Sequence, residues 1–503
     1  MADKVAIVMD CGSTNATVIA VDPQGRIVAS AGRPSAPAPQ PGCPAGWVIW
    51  ELDGVFGKLA EACREVCGQL GEAEIAAVTI TTFGADGAPL GSDGRITYPV
   101  ICWQDERTEP LAATIGRRVP LLDLFNTTGY QVIPFNTLLR LIWLRENEPQ
   151  ALEEAESYLM MAGLLSYSLC GQRSIDPTAG GTMMAMDLAR RDWSPDLLRL
   201  AGLDPSFFPS WVEPGGVIGT VHSEAWQATG LPVGTPVVAA GHDTQFAAVG
   251  CGARPGEAVL SSGTWEILML RHNRFEPNRL AFDEGLLYEC DAEPGLWDPQ
   301  LLMMGSGVLE WLRDLLYCDI KDRADAYDVM IADAERNAPG DGGLTFLPSF
   351  VPSTGPTKKH GTRGTILGLE LSTDRGKLYR AALEGLCYQL KHALEVLEQS
   401  TGFAAEGIRA VGGGSKNRLW NQVRADVTGL PVTITEQKEA TVLGAAMFAF
   451  VGAGVYHSAS EAQDAMALGE QVIEPSENQA IYAPLYERYR TAPPALEGFY
   501  AKG

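Results

Sequence analysis

An apolar run from Val5 to Met9 stops at Asp10, the polar, glycine-bearing stretch Cys11-Gly12-Ser13-Thr14-Asn15 follows, and a second apolar run extends from Val18 to Val21. Short apolar runs bounded by turn residues predict strands, so the chain opens as strand, tight turn and returning strand. Asp22-Pro23-Gln24-Gly25 supplies another turn and Arg26 to Ala29 a third strand, which makes an antiparallel meander. The Pro- and Ala-rich residues 34–46 predict a surface loop. Asp53 is placed to cap the helix after Trp47 to Glu51, and residues 75–82 predict a strand running into the turn from Phe83 to Gly87. Onward to about residue 215 the pattern is helical and loop-rich, and Val237 to Ala240 predicts a strand that ends in Gly241-His242-Asp243-Thr244.

The opening pattern then returns. Ala258-Val259-Leu260 leads into Ser261-Ser262-Gly263-Thr264, and Ile267 to Leu270 is the second apolar run. Two copies of strand, Gly-Ser/Thr turn and strand lie about half a chain apart, as a duplicated domain requires. Helices are predicted from Val308 to Leu316 and from Arg375 to Glu398. A strand over 408–411 enters Gly412-Gly413-Gly414-Ser415, and a helix starts near Leu419. Ala440 to Tyr456 is apolar but shorter than the roughly 18 residues of a membrane span, and it contains three glycines, so it reads as a buried helix with its turn.

Length and charge narrow the picture. At roughly 100 to 200 residues per domain, 503 residues hold two or three domains. Apolar residues at 46% and charged residues at 20% are ordinary globular usage and exclude disorder, collagen and coiled coil. Lysine and arginine number 38 against 62 acids, a net charge of −24 that disfavours nucleic acid and anionic membranes as partners. The ten cysteines contain no CxxC pair, and Cys63 and Cys67, four apart on a helix, read as packing. The first residues carry no apolar stretch long enough for a secretory signal, which makes a cytoplasmic location the expectation and leaves the Asn126-Thr127-Thr128 sequon unused. His222, His272, His360, His392 and His457 have no metal-binding spacing.

No P-loop, GxGxxG after a strand, HExxH or GxSxG occurs. What stands out is three glycine turns, at 12–15, 263–265 and 412–415, each directly after an apolar strand. Such turns let backbone N–H groups approach an anion, and Ser and Thr hydroxyls add donors. One alone is commonly a plain turn; three, with Asp10 before the first, are the arrangement expected for a nucleotide held between two domains. Asp10 could hold Mg²⁺ through water, since that ion keeps several waters and takes one or two carboxylates. Asp243, at a strand end beside His242, Thr244 and Gln245, is a candidate general base, with an Asx turn as the alternative reading.

Four motifs together, DCGSTN at 10–15, GHDTQ at 241–245, SSGTW at 261–265 and VGGGSKNRLWNQ at 411–422, resemble the FGGY carbohydrate kinases. The stretches FNTLLRLIWLREN at 135–147 and RGTILGLELSTDRGKLYRAALEG at 363–385 agree, so the likeness runs from residue 5 to about residue 455. It implies an α/β protein of two actin-like ATPase (ribonuclease H-like) domains around a deep catalytic cleft. The first domain, 1–247, would carry the sugar and the first phosphate loop, and the second, 248–503, would hold ATP. By position, Asp243 matches the catalytic base and Asp10 the acid near Mg²⁺. Gly12, Ser13, Thr14 and Asn15, with Gly263 and Thr264, match the two phosphate loops. Gly413, Gly414 and Asn417 match positions around the adenosine, and Glu310 lies on the helix that borders the adenine. Asp86, Trp103 and Arg107 match substrate-side positions, with Phe135, Asn136 and Gln245 as further sugar candidates. A carboxylate such as Asp86 can accept two hydroxyl protons, and Trp103 offers a flat apolar wall.

The resemblance implies ATP-dependent phosphorylation of a ketose. Residues 81–87, 98–108, 240–246 and 261–269 are most similar to members acting on L-fuculose at its 1-hydroxyl. D-Xylulose, L-rhamnulose and glycerol are the alternatives, and a non-catalytic sugar or nucleotide sensor is the reading of a different class. Partners are then a small sugar and ATP, with no nucleic acid or membrane and a homodimer left open. Two departures stand out. Thr17 occupies the place, seven after Asp10, where relatives carry Lys or Arg, and Arg140 stands where Lys is common, a site read as structural.

Overall fold

The computed structural model describes residues 4–351, 354–435, 439–467 and 469–501. The predicted meander forms as β1 (Lys4–Cys11), β2 (Asn15–Val21) and β3 (Ile27–Pro34), paired antiparallel. Next comes α1 (Leu52–Gln69), which differs in one detail from expectation. Glu51 takes the capping position without a side-chain cap bond, and Asp53 falls inside the first turn, where its charge complements the helix dipole but caps nothing. β4 (Glu74–Thr82) pairs in parallel with the free edge of β1. A short helix α2 (Pro177–Gly181), β5 (Val217–Thr220) and β6 (Pro236–Val238) follow, and the first sheet has the order β5-β6-β4-β1-β2-β3.

β1 is a continuous apolar run because both of its faces are covered. Val5, Ile7, Met9 and Cys11 pack with α1, whereas Ala6 and Val8 turn to the opposite face with Ile19 and Val21. Between β4 and β6 the chain builds a lobe with its own core around Leu138, Leu141, Ile142 and Met183. That lobe includes a strand pair, Gly87–Gly91 with Ala155–Met160, whose glycines and lack of alternation hid it in the sequence.

After α3 (Asp243–Gly250) the pattern repeats. β7 (Ala258–Ser262) and β8 (Trp265–Leu270) are the second strand pair, followed by β9 (Leu287–Cys290), β10 (Trp297–Met304), α4 (Ser306–Leu316) and α5 (Arg375–Thr401). β11 (Ile408–Val411) pairs in parallel with β7 as β4 does with β1. α6 (Arg418–Thr428), β12 (Val432–Thr435), α7 (Ala440–Gly452) and β13 (Glu470–Ile473) complete the half, with sheet order β9-β10-β8-β7-β11-β12-β13. The hairpin β9–β10 was not foreseen, because Asp298 and Pro299 break the apolar pattern that marks a strand.

Two helices tie the halves together. α7 packs on the face of the first sheet formed by Ala6, Val8 and Val238, and it crosses α3 at two glycines. A Cβ on Gly250 would collide with the Ala440 carbonyl, and one on Gly444 with the Phe246 carbonyl, so the two backbones touch. The strands β1, β6, β7 and β11 all end toward one region, where parallel strands of open α/β sheets present their ligand sites. Among the described residues no helix is long and apolar enough to cross a membrane, and the ten cysteines form no disulfide.

Candidate active site

At these strand ends lies a cavity of about 310 Å³. One wall comes from the first half: Ser13, Phe83, Trp103, Tyr130, Phe135, His242 and Asp243. The other comes from the second half, with Ile267 on β8, Leu287 and Glu289 on β9, and Gln300 and Leu302 on β10.

Asp10 is next to last in β1, opposite Thr17 of β2 and Thr81 of β4. Thr81 donates from Oγ1 to Asp10 Oδ1 at 2.9 Å. Burial first, and then the nearby Asp243 carboxylate, push Asp10 up to about 7 against the pull of Thr81. A divalent cation would relieve that repulsion. The donors here are carboxylate and hydroxyl oxygens, which suit Mg²⁺, and among the described residues no cluster of three or more acidic, His or Cys side chains offers a fuller cage.

Asp243 begins α3. Its Oδ1 accepts from the Thr244 N–H at 2.6 Å and from Thr244 Oγ1 at 3.1 Å, contacts to the next residue rather than the bond two residues on that an Asx turn makes. Burial raises its pKa, and the neighbouring His242 opposes that rise. The strand-to-helix corner is fixed from behind. Asp176 caps α2 and accepts from Thr178 Oγ1 at 2.5 Å, and that hydroxyl accepts the His242 N–H at 2.9 Å. The fit is tight enough that a Cβ on Gly241 would run into the Asp176 carboxylate.

Glu289 reaches into this corner from the second half. His242 Nδ1 lies 3.1 Å from its Oε2, and Tyr130 O–H and Gln245 Nε2 donate to the same carboxylate. Burial would raise Glu289, but His242, Tyr130 and Gln245 together hold it below its usual range. For His242 burial works the other way, and the charge and hydrogen bond of Glu289 overcome it, holding the imidazole at about 9. Among the described residues lining the cavity, His242 is the only basic side chain.

The sequence-derived sugar residues divide into two groups. Trp103 and Phe135 line the cavity, Trp103 with its Nε1 donating to Ser13 Oγ at 3.3 Å. Asp86, Arg107, Asn136 and Gln245 do not line it; the first three are engaged within the protein, and Gln245 donates to Glu289 while its buried Oε1 has no partner among the described residues. Asp86 accepts Arg140 Nη1 at 2.7 Å on one oxygen, and Trp50 Nε1 at 2.8 Å and the Trp103 N–H at 3.1 Å on the other. Its oxygens are therefore taken by protein donors, and it acts on the cavity by holding Trp103. The buried Arg140 keeps the structural role expected of it. Arg107 is buried against Asp105 at 2.6 Å and lies over the Trp47 ring, 4.3 Å from its centroid. Asn136 Oδ1 accepts the Ile133 N–H at 2.8 Å and so shapes the loop that presents Ile133 and Phe135.

On the nucleotide side, the first turn closes with Gly12 N–H on the Asn15 carbonyl at 2.9 Å, leaving Ser13 and Thr14 at its tip. Gly263 N–H closes the second turn on the Trp265 carbonyl at 2.9 Å, and the Thr264 carbonyl accepts the Gly305 N–H at 3.0 Å at the start of α4. Glu310 lies one turn along α4 and accepts from Ser306 Oγ at 3.3 Å. The third turn packs against the second: Gly414 abuts Ser262, whose hydroxyl is held by the buried pair Glu266 and Arg424. Asn417 caps α6 through the Trp420 N–H at 3.0 Å and donates to Tyr379 O–H at 3.1 Å. Gly413 lines a second cavity, of about 590 Å³, together with Lys416 and Arg418.

His242, Glu289, Tyr130 and Gln300 were missed by sequence reasoning. His242 lay within a singled-out motif, whereas Glu289 and Gln300 sit in strands that the sequence did not reveal.

A duplicated α/β core, three glycine turns at strand ends and the neighbouring carboxylates Asp10 and Asp243 beside a cavity lined by both halves are the frame of a phosphotransferase, and the family match gives that class. Residues 5–250 match the N-terminal domain, and residues 258–453 the C-terminal domain, of the FGGY family of carbohydrate kinases; the chain belongs to that family and is an ATP-dependent carbohydrate kinase. Among curated proteins it is 39% identical over 465 residues to L-fuculokinase from Escherichia coli strain K12, covering 92% of this chain and 95% of that one. It is 36% identical over 481 residues to L-fuculokinase from Haemophilus influenzae, covering 94% and 100%. Among solved structures, xylulose kinase from Rhodospirillum rubrum superposes with a TM-score of 0.90 at 26% identity, covering 99% of this chain and 100% of that one.

Proposed function

We propose that this kinase transfers the γ-phosphate of ATP to the 1-hydroxyl of L-fuculose, giving L-fuculose 1-phosphate and ADP. The observation that carries this reading is a carboxylate, Asp243, set in a cavity whose other walls are largely apolar: Phe83, Ile133, Phe135, Leu287 and Leu302. L-Fuculose is a 6-deoxy ketose, so one end is a methyl group, which gains from burial against such a wall, whereas a terminal hydroxyl would lose its water there. The L-fuculokinase relatives, at 36 and 39% identity over most of the chain, support the same substrate. Gln300 is buried with no partner for Oε1 among the described residues, and it offers an acceptor for one of the remaining sugar hydroxyls.

Asp243 stands where it can orient the attacking hydroxyl. The sugar oxygen forms its bond to phosphorus as the bond from phosphorus to the ADP oxygen breaks, and the hydroxyl proton passes to Asp243. Burial lifts this carboxylate toward the range in which it can hold that proton. Mg²⁺, when bound, would offset charge on the phosphates, and Asp10 would hold it through water. The turns at Gly12 to Asn15 and Gly263-Thr264 would receive the phosphates, with Gly413, Gly414, Asn417 and Glu310 around the adenosine. Asp86, Arg107, Asn136 and Gln245 would shape the sugar wall from behind. A cytoplasmic location belongs to the same reading and agrees with ten cysteines that form no disulfide.

The test is coupled ADP release with MgATP over L-fuculose, L-rhamnulose, D-xylulose and glycerol. L-Fuculose is expected to give the highest kcat/KM. Strong turnover on D-xylulose alone would overturn the substrate, and no turnover on any of them with ATP still binding would favour the sensor.

A further inference from the structure

Glu289 has no place in the chemistry described so far, yet it is the one carboxylate that the second half contributes to the cavity wall. Its side chain makes no hydrogen bond to its own sheet among the described residues. Its three side-chain partners, Tyr130, His242 and Gln245, all belong to the first half, and it is buried. Of the three, His242 leads on to the base. The contact to Glu289 is made by Nδ1, which sets the ring so that Nε2 faces Asp243, 3.6 Å from its Oδ1. Room for the ring in this pose comes from Gly84, because a Cβ there would press on Thr182 and on the Nε2 edge of His242. A carboxylate on the second half, an imidazole, and a carboxylate on the first half thus make a continuous set of contacts that ends at Asp243.

We propose that Glu289 is a positioning residue for the Asp243 base, acting through His242, so that the second half of the molecule sets the geometry of the proton acceptor carried by the first. This rests on the reading of Asp243 as that acceptor. The imidazole also places a positive group beside the transfer site of a chain that has Thr17 where relatives carry a cation.

A contact that merely joined the halves would affect stability and leave the turnover of folded protein alone. The distinguishing experiment measures kcat and both KM values with L-fuculose and MgATP on full-length Glu289→Gln, His242→Asn and the double variant, with melting temperatures alongside. Asn at 242 keeps a donor near the Nδ1 position and removes the group that faces Asp243. Each single variant is expected to lose at least about tenfold in kcat, with KM for ATP within about twofold of the parent. The double variant is expected to fall no more than about twofold below the slower single, because both changes cut one chain of contacts. Three results would overturn the proposal: kcat of Glu289→Gln within about twofold of the parent, losses that multiply in the double, or a lowered melting temperature with kcat intact. If Glu289→Gln does not fold, His242→Asn decides alone by the same kcat criterion. Asp243→Asn is run beside them. Near-normal turnover there removes the reading of Asp243 itself, whereas a slow Asp243→Asn with a normal Glu289→Gln removes only the role of Glu289.

Discussion

His242 and His392 mark opposite ends of one electrostatic scale. Both are taken from water, but Glu289 meets His242 and holds it at about 9, whereas His392 on α5 has an unpartnered Nδ1 among the described residues and faces Arg490, Lys359 and His360. Burial first, and then those cations, push His392 down to about 4. Its folded pKa is thus below its unfolded value, so between about 6.5 and about 4 the unfolded chain binds a proton that the native chain refuses, and stability falls as pH falls through that window. The full shift corresponds to at most about 3 kcal/mol. Denaturant unfolding at pH 7 and pH 4.5 is expected to show the parent losing more stability than His392→Gln, and parallel losses would contradict the assignment. At this scale the sequence was informative near the ends of strands, where Asp10 stands next to last in β1 and Asp243 starts α3 shortly after β6. It was uninformative for Asp86 and Arg107, whose types suit a sugar but whose hydrogen bonds are used within the protein.

The crossing of α3 and α7 is the element on which the base depends. α3 starts at Asp243, and its far end is locked where Gly250 meets Ala440 and Gly444 meets Phe246, backbone against backbone. A methyl at either glycine must push the helices apart, an overpacking cost of about 1 to 3 kcal/mol. Gly444→Ala is therefore expected to lower unfolding free energy by about 2 kcal/mol, and to slow turnover because α3 shifts with it. Stability within about 0.5 kcal/mol of the parent would show that the crossing yields at no cost. Neither glycine signals this in the sequence; a glycine in an apolar helix reads as a weak spot until its neighbour, some two hundred residues away, is known. The strands that lead into glycine turns were legible because run length and turn residues coincide. β9 and β10 were not, since Pro299 and buried acids interrupt them, and with them went Glu289 and Gln300.

Across the whole molecule, the repeated strand-turn-strand forecast two related halves, and both halves line the cavity. The charge of −24 acquires a location. Acids outnumber bases overall, yet His242 lines the first cavity, and Lys416 and Arg418 line the second cavity beside the third glycine turn. In the proposed reading Asp10 takes a cation and Asp243 a proton at the same junction, which offsets the negative charge that an anionic nucleotide would meet there. The central claim is that Asp243 accepts the proton of the sugar hydroxyl. Its most direct test is steady-state turnover of Asp243→Asn with L-fuculose and MgATP, with binding of each ligand measured by calorimetry. Unchanged binding and a kcat lower by about a hundredfold or more are expected, whereas near-normal turnover would contradict the role of Asp243.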